Sequence, residues 1–140
     1  RSAGFSPYIM VAYRSYSTQE YILNGKASQI AWPEYPTEED YELARESVAN
    51  PGESDHQTGL GVDITDKYYG VMDADLMDQS FLAWMQQNCA DYGFILRYPV
   101  GKESITGRSE AWHYRYVGKE AAAFIMDHNL CLEQFVALYE

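Results

Sequence analysis

The sequence predicts an α+β fold, because strand-like and helix-like segments follow one another without the regular alternation of a parallel wound sheet. Two further observations support a folded domain of this class. The 140 residues suffice for one compact core, so residues 1–140 are expected to form a single domain. Hydrophobic residues make up 46% of the chain and charged residues 22%, which is typical of globular proteins.

The first half of the chain begins with a strand and two helices. Residues 8–13 form an apolar run that is typical of a strand. Ser17 and Glu20 have the spacing of a capping box and predict the start of a short helix. A second helix is predicted to begin at Thr37 and to end at the Asn-Pro-Gly breaker of residues 50–52.

A second strand is predicted over residues 60–65, where apolar and small or polar residues alternate. Asp63 therefore points away from the apolar face of this strand. Over residues 78–92 the apolar residues follow the helical period, and Gly93 is a natural stop; these residues are Phe81, Met85, Cys89 and Tyr92. Two more strands, at residues 94–98 and 112–117, and helical segments from Lys119 onward complete the chain.

The charge of the chain excludes some partners. There are 21 acidic and 10 basic residues, which gives a net charge of −11. Nonspecific binding to nucleic acid or to an anionic bilayer is therefore not expected. No stretch approaches the roughly 18 to 20 apolar residues of a membrane span. Because the chain starts at Arg1 without a signal segment, we expect a domain excised from a longer, exported or anchored protein.

The two cysteines, Cys89 and Cys131, form neither a redox pair nor a metal-binding knuckle. A disulfide in an exported protein and two buried free thiols are both compatible with their positions. Cysteine usage therefore leaves the compartment open.

Two short segments hold the residue types of a catalytic metal site. Two histidines and a carboxylate are a standard ligand set for zinc, and His56, Asp63 and His113 supply it. Glu110 is the candidate base that takes a proton from the attacking water. An odd separation places Glu110 and His113 on opposite faces of a regular strand, so we expect Glu110 in a loop or bulge just before the strand begins.

Two alternatives use the same residues. Ser54, His56 and Asp63 invite the interpretation of a serine-hydrolase triad, but no Gly-x-Ser-x-Gly elbow presents the serine. The other alternative is a noncatalytic envelope-binding module that keeps zinc for stability. The presence of Glu110 favours an enzyme, since such a module has no need of an acid there.

The two segments resemble the signatures of the VanY-type zinc D-Ala-D-Ala carboxypeptidases, relatives of the D,D-dipeptidases and L,D-carboxypeptidases that trim peptidoglycan stem peptides. The resemblance covers most of the chain, although Gly61 and Ala111 stand where relatives commonly have Ala and Pro. It implies a Hedgehog/D,D-peptidase-like fold, in which helices pack around a small, mostly antiparallel sheet.

The resemblance also implies a role for individual residues. By this resemblance, zinc is expected to be bound by His56, Asp63 and His113, with Glu110 as the catalytic base. Arg14 is expected to stabilise the developing oxyanion, and Arg14, Ser54 and Gln19 to hold the substrate, with Arg115 as a further candidate for its carboxylate. The implied reaction releases D-Ala from the carboxyl end of a stem peptide, at the cell envelope or outside the cell. L,D-carboxypeptidase and endopeptidase specificities remain open.

Overall fold

A computed structural model describes residues 3–140, so Arg1 lies outside the described residues. The α+β prediction is confirmed. Four strands form one sheet, namely β1 (Tyr8–Val11), β2 (Gly61–Thr65), β3 (Phe94–Tyr98) and β4 (Glu110–Tyr116). Neighbouring strands are antiparallel in the order β1-β2-β4-β3. The α-helices are α1 (Tyr16–Ala31), α2 (Glu38–Arg45), α3 (Gln79–Asn88), α4 (Glu103–Thr106), α5 (Lys119–Asp127) and α6 (Leu132–Val136).

The chain divides into two compact units. The first unit comprises the residues up to Ala12 together with Leu60–Glu140, and it contains the whole sheet and helices α3 to α6. The second unit, Tyr13–Gly59, contains α1 and α2. In the second unit the two helices share a small apolar core of Leu23, Ala27, Ala44, Ile30, Tyr41 and Val48.

Helix α1 is longer than predicted, and its start differs from the prediction. Ser15, in an extended conformation, accepts a hydrogen bond from the Thr18 backbone N–H at 3.1 Å and caps the helix. The capping box predicted at Ser17 and Glu20 is wrong, because both residues lie inside the helix. The earlier serine satisfies the free N–H groups of the first turn, so the helix begins there.

Helix α2 begins where the sequence predicts and ends earlier. The Thr37 backbone N–H donates to Asp40 Oδ2 at 2.8 Å, which fixes the first turn. The helix ends at Arg45, and turns continue the chain over residues 46–48 before the breaker at residues 50–52. The breaker therefore follows the helix at a distance of several residues.

Strand β2 separates two environments, as its alternation predicts. Val62 and Ile64 pack against a buried cluster that contains Cys89, Leu96 and Tyr114. Asp63 points to the other face and is only 7% exposed. The polar face of this strand is therefore covered as well, which is the condition for a buried site.

Helix α3 is capped by Asp78, whose Oδ1 accepts hydrogen bonds from the Ser80 and Phe81 backbone N–H groups at 2.8 and 3.1 Å. A 3₁₀ helix, Cys89–Tyr92, follows, and Gly93 ends it with a φ of +83°. The helical period predicted over residues 78–92 therefore ends at Asn88, and within the 3₁₀ helix Tyr92 is 63% exposed.

The structure bears on two further predictions, the state of the cysteines and the presence of a membrane span. Cys89 and Cys131 are both buried free thiols, so the disulfide alternative is not realised. Within residues 3–140, no helix combines the length and the apolar character that crossing a membrane requires.

Candidate metal centre

The sheet brings Asp63 and His113 together. They are cross-strand partners in β2 and β4, and His113 Nδ1 lies 2.9 Å from Asp63 Oδ1. The His113 side chain is 4% exposed and that of Asp63 is 10% exposed. Directly opposed residues in an antiparallel pair have their Cβ atoms about 5 Å apart, so strand pairing alone sets the separation of the two donors.

His56 lies in the second unit, in the 3₁₀ helix Asp55–Thr58, and is 4% exposed. Gly59 follows with a φ of +72°, a conformation that glycine adopts without strain and that turns the chain toward β2. The His56 carbonyl accepts a hydrogen bond of 3.0 Å from the Arg14 backbone N–H. The backbone around His56 is therefore fixed on both sides.

Asp63 and His113 supply two of the three predicted ligands within one unit. His113 Nδ1 and Asp63 Oδ1 are 2.9 Å apart. Ligands at about 2.0 to 2.2 Å around a tetrahedral zinc ion are roughly 3.4 Å apart. Small side-chain adjustments therefore suffice to place these two donors on one ion, and an imidazole with a carboxylate is a pair of ligands that zinc prefers.

Glu110 is the first residue of β4, at a point where the pairing with β3 is irregular. Leu96 pairs with Tyr114 and Tyr98 pairs with Glu110, so three residues of β4 lie opposite one residue of β3. The irregularity brings Glu110 Oε2 to 3.9 Å from His113 Nδ1 despite their odd separation. The predicted bulge is present, although Glu110 lies inside the strand rather than before it.

The surroundings of Glu110 have opposite effects on the pKa of its carboxyl group. Burial raises the pKa of its carboxyl group, while the neighbouring His113 and Arg108 lower it. The net direction is upward from the ordinary value of 4.5. A carboxylate with a raised pKa holds and releases a proton closer to neutral pH, which suits a general base.

Arg14 and Gln19 form a short hydrogen-bonded chain in the second unit. Arg14 Nη1 donates to Gln19 Oε1 at 2.7 Å, and Gln19 Nε2 donates to the Ala49 carbonyl at 2.7 Å. Gln19 has no exposed surface. Both ends of its amide are therefore used by protein atoms.

Ser54 and Arg115 are the remaining predicted site residues. Ser54 is 9% exposed, it directly precedes the 3₁₀ helix that carries His56, and its carbonyl accepts the Gln57 backbone N–H. Arg115 is two residues after His113 in β4 and so lies on the same face of that strand.

Two residues near the site were not predicted from the sequence. The Tyr98 ring centroid lies 5.2 Å from that of His113, and Arg108 Nη1 lies 3.6 Å from Glu110 Oε1. Tyr98 faces Glu110 only because of the irregular β3–β4 register. Residue spacing carries no signal for such an irregularity.

This chain is similar to known proteins. A family model described as VanY, D-alanyl-D-alanine carboxypeptidase, matches residues 1–119. The Bacillus subtilis protein YodJ is 39% identical over 141 residues, covering 96% of this chain and 47% of YodJ. A D-alanyl-D-alanine carboxypeptidase of Enterococcus faecalis is 38% identical over 137 residues, covering 97% of this chain and 49% of the relative. The chain thus spans about half the length of these two curated relatives.

Solved structures are similar over nearly the whole chain. A VanY D,D-pentapeptidase variant solved in complex with Zn(II) is 38% identical with a TM-score of 0.79, covering 97% of this chain and 74% of that one. The LdcB LD-carboxypeptidase is 38% identical with a TM-score of 0.82, covering 97% of this chain and 60% of that one.

Proposed function

This chain belongs to the VanY family of D-alanyl-D-alanine carboxypeptidases, and we propose that it hydrolyses the terminal D-Ala from peptidoglycan stem peptides with zinc as its cofactor. The observation that carries the proposal is the 2.9 Å approach of His113 Nδ1 to Asp63 Oδ1, two buried potential zinc ligands on neighbouring strands. The expected place of action is the cell envelope or the space outside the cell, where peptidoglycan lies.

We assign His56, Asp63 and His113 as the zinc ligands. These three donors leave a coordination position open, as catalytic zinc sites do. Zinc held there supplies polarisation of the scissile carbonyl and a water whose pKa falls toward about 7. The same grouping disfavours the serine-hydrolase alternative, because His56 and Asp63 then serve as ligands and not as base and orienting acid beside Ser54.

Glu110 is assigned as the general base and acid. Its carboxylate takes the proton of the attacking water and then returns that proton to the leaving amine, so the group is unchanged after each turnover. Its half-buried position supports this role, since burial raises the pKa of the carboxyl group and so favours its acceptance of a proton.

Arg14 is assigned to the negative charge that grows on the carbonyl oxygen of the substrate. A guanidinium is useful for this purpose only if its direction is fixed before the reaction. Gln19, which has no exposed surface, supports the substrate through its hydrogen bond with Arg14 instead of by contact. Ser54 and Arg115 are proposed to hold the substrate together with Arg14.

Defined stem peptides test the proposal. Zinc-loaded protein is incubated with peptides ending in D-Ala-D-Ala, L-Lys-D-Ala or D-Ala-D-lactate, and the products are identified by mass spectrometry. Release of D-Ala from the first peptide is expected. Exclusive cleavage of the L-Lys-D-Ala end would replace the proposal with an L,D specificity, as in LdcB. No release from any peptide would favour the noncatalytic module.

The Glu110→Gln variant separates catalysis from metal binding. It is expected to keep the fold and the zinc content while turnover falls by roughly two to four orders of magnitude. Glu120→Gln, on the exposed first turn of α5, is a matched control with full activity. Unchanged turnover in Glu110→Gln would remove this residue from the mechanism.

A further inference from the structure

The two carboxylate oxygens of Glu110 have different neighbours. Oε1 lies 3.6 Å from Arg108 Nη1, and Oε2 lies 3.9 Å from His113 Nδ1. A glutamate side chain has three rotatable bonds, and the Glu110 side chain is 21% exposed, so burial alone does not select one orientation. An ion pair at one oxygen holds the other oxygen on the side of the metal ligand.

Arg108 is itself held in place. Its guanidinium carbon lies 5.7 Å from the centroid of the Tyr98 ring, within the range of a cation–π contact. Its backbone carbonyl accepts a hydrogen bond of 2.8 Å from Thr106 Oγ1. Gly107, with a φ of +78°, ends α4 directly before it. Arg108 therefore leaves a fixed turn and lies against a fixed ring.

Tyr98 joins these contacts into one cluster. It is the cross-strand partner of Glu110, and its ring lies close to the Arg108 guanidinium and to the His113 ring. A second cation, Arg97, lies 4.6 Å from the same ring and is bound by Glu133 through both carboxylate oxygens at 2.7 and 3.0 Å. The ring thus has a rigid support on the side of β3 and α6.

We propose that Arg108 is a positioning residue for Glu110. The Arg108 guanidinium attracts one carboxylate oxygen of Glu110 and so turns the other oxygen toward His113. This inference rests on the proposed function, because it assigns Arg108 to the same reaction. The distance of 3.6 Å is that of an ion pair and exceeds a hydrogen bond, so charge and not donor geometry carries the effect. Arg108→Lys therefore preserves most of it.

Steady-state kinetics with the zinc-loaded enzyme and a D-Ala-D-Ala peptide test the inference. Arg108→Met, which keeps the length and removes the charge, is expected to lower kcat about tenfold with KM within about twofold. Arg108→Lys is expected to restore kcat to within about threefold of the wild type. Zinc content and melting temperature are measured for each variant, so that a loss of folding is recognised.

The matched control is Arg45→Met, because the Arg45 side chain is 30% exposed and that of Arg108 is 28% exposed. Arg45 pairs with Glu38 and Glu42 in α2, and its loss is expected to leave kcat unchanged. A double-mutant cycle completes the test. If Arg108 acts through Glu110, Arg108→Met lowers the residual kcat of Glu110→Gln by less than about twofold.

Three results would overturn the inference: wild-type kcat in Arg108→Met, a rise in KM with unchanged kcat, or an undiminished tenfold effect in the Glu110→Gln background. The second result would indicate direct substrate binding by Arg108. An inactive wild-type protein would instead contradict the proposed function, so the two failures are distinguishable.

Discussion

Replacing Gln19 with Met tests whether the buried amide holds Arg14 in place. Met has nearly the length of Gln, and it removes both hydrogen bonds of 2.7 Å, the one accepted from Arg14 and the one donated to the Ala49 carbonyl. A hydrogen bond to a charged group contributes about 1.5 to 3 kcal/mol, and a buried carbonyl left without its donor costs about 1 to 3 kcal/mol. Because Arg14 and Ala49 are only partly buried and regain water, we expect a loss of about 2 to 4 kcal/mol.

Urea unfolding of Gln19→Met measures this loss, and kcat/KM on a D-Ala-D-Ala peptide measures its effect on Arg14. We expect kcat/KM to fall at least about tenfold, since an oxyanion donor that has lost its direction stabilises the transition state less. Gln19→Glu is the discriminating variant. It keeps an acceptor for Arg14 and loses the donor to Ala49, so stability falls while kcat/KM stays above that of Gln19→Met.

Wild-type stability and kcat/KM in Gln19→Met would contradict the role of the buried amide in holding Arg14. An equal loss of kcat/KM in Gln19→Glu and Gln19→Met, with both variants folded, would contradict it as well. The second outcome would mean that Gln19 affects kcat/KM through packing alone and that its hydrogen bond with Arg14 does not contribute to activity.

Three further perturbations have defined outcomes. Phe81→Ala, at a residue that is 1% exposed, is expected to lower the free energy of unfolding by about 3 to 5 kcal/mol in urea titrations, and a loss below about 1 kcal/mol would contradict the assigned core. Hydrogen bonds from Ser80 and Phe81 hold the Asp78 pKa below 3.8, so its stabilising contribution is present at neutral pH and declines as the pH falls below about 4. Asp78→Ala should flatten that part of the dependence of melting temperature on pH. Chelation should lower the melting temperature and added zinc should restore it, whereas Asp63→Ala should show no zinc-dependent shift.

Sequence patterns predicted the structural features that depend on residues close together along the chain. The alternation in β2 placed Asp63 on the polar face, and the acidic start of α2 placed its cap at Thr37. The predicted start of α1 at Ser17 was wrong, although Ser15 and Ser17 both precede helical residues and both are good capping residues. Only the extended backbone at Ser15 decides between them, and spacing alone does not reveal backbone dihedral angles.

The approach of His113 to Asp63 depends on strand register. Fifty residues separate them, and a slip of one residue in the pairing of β2 with β4 would turn His113 to the opposite face. The residue types predicted a shared metal site, but the register that brings His113 to Asp63 follows from the packing of the whole sheet. The sequence therefore indicated candidate donors, while the distance between these two came from tertiary structure.

Tyr98 and Arg108, which the sequence did not predict, contact Glu110 at the irregular part of β4. A regular β4 would place Glu110 and His113 on opposite faces, so the Glu-x-x-His spacing is useful only if the strand is irregular between them. The irregularity that brings the two together also pairs Glu110 with Tyr98 and brings Arg108 within 3.6 Å of the carboxylate. Because bulges re-aim side chains at the expense of regular pairing, the Tyr98 and Arg108 contacts are best understood as the support that keeps this bulge in one conformation. Glu110, Arg108 and the Tyr98 ring then form a single structural unit.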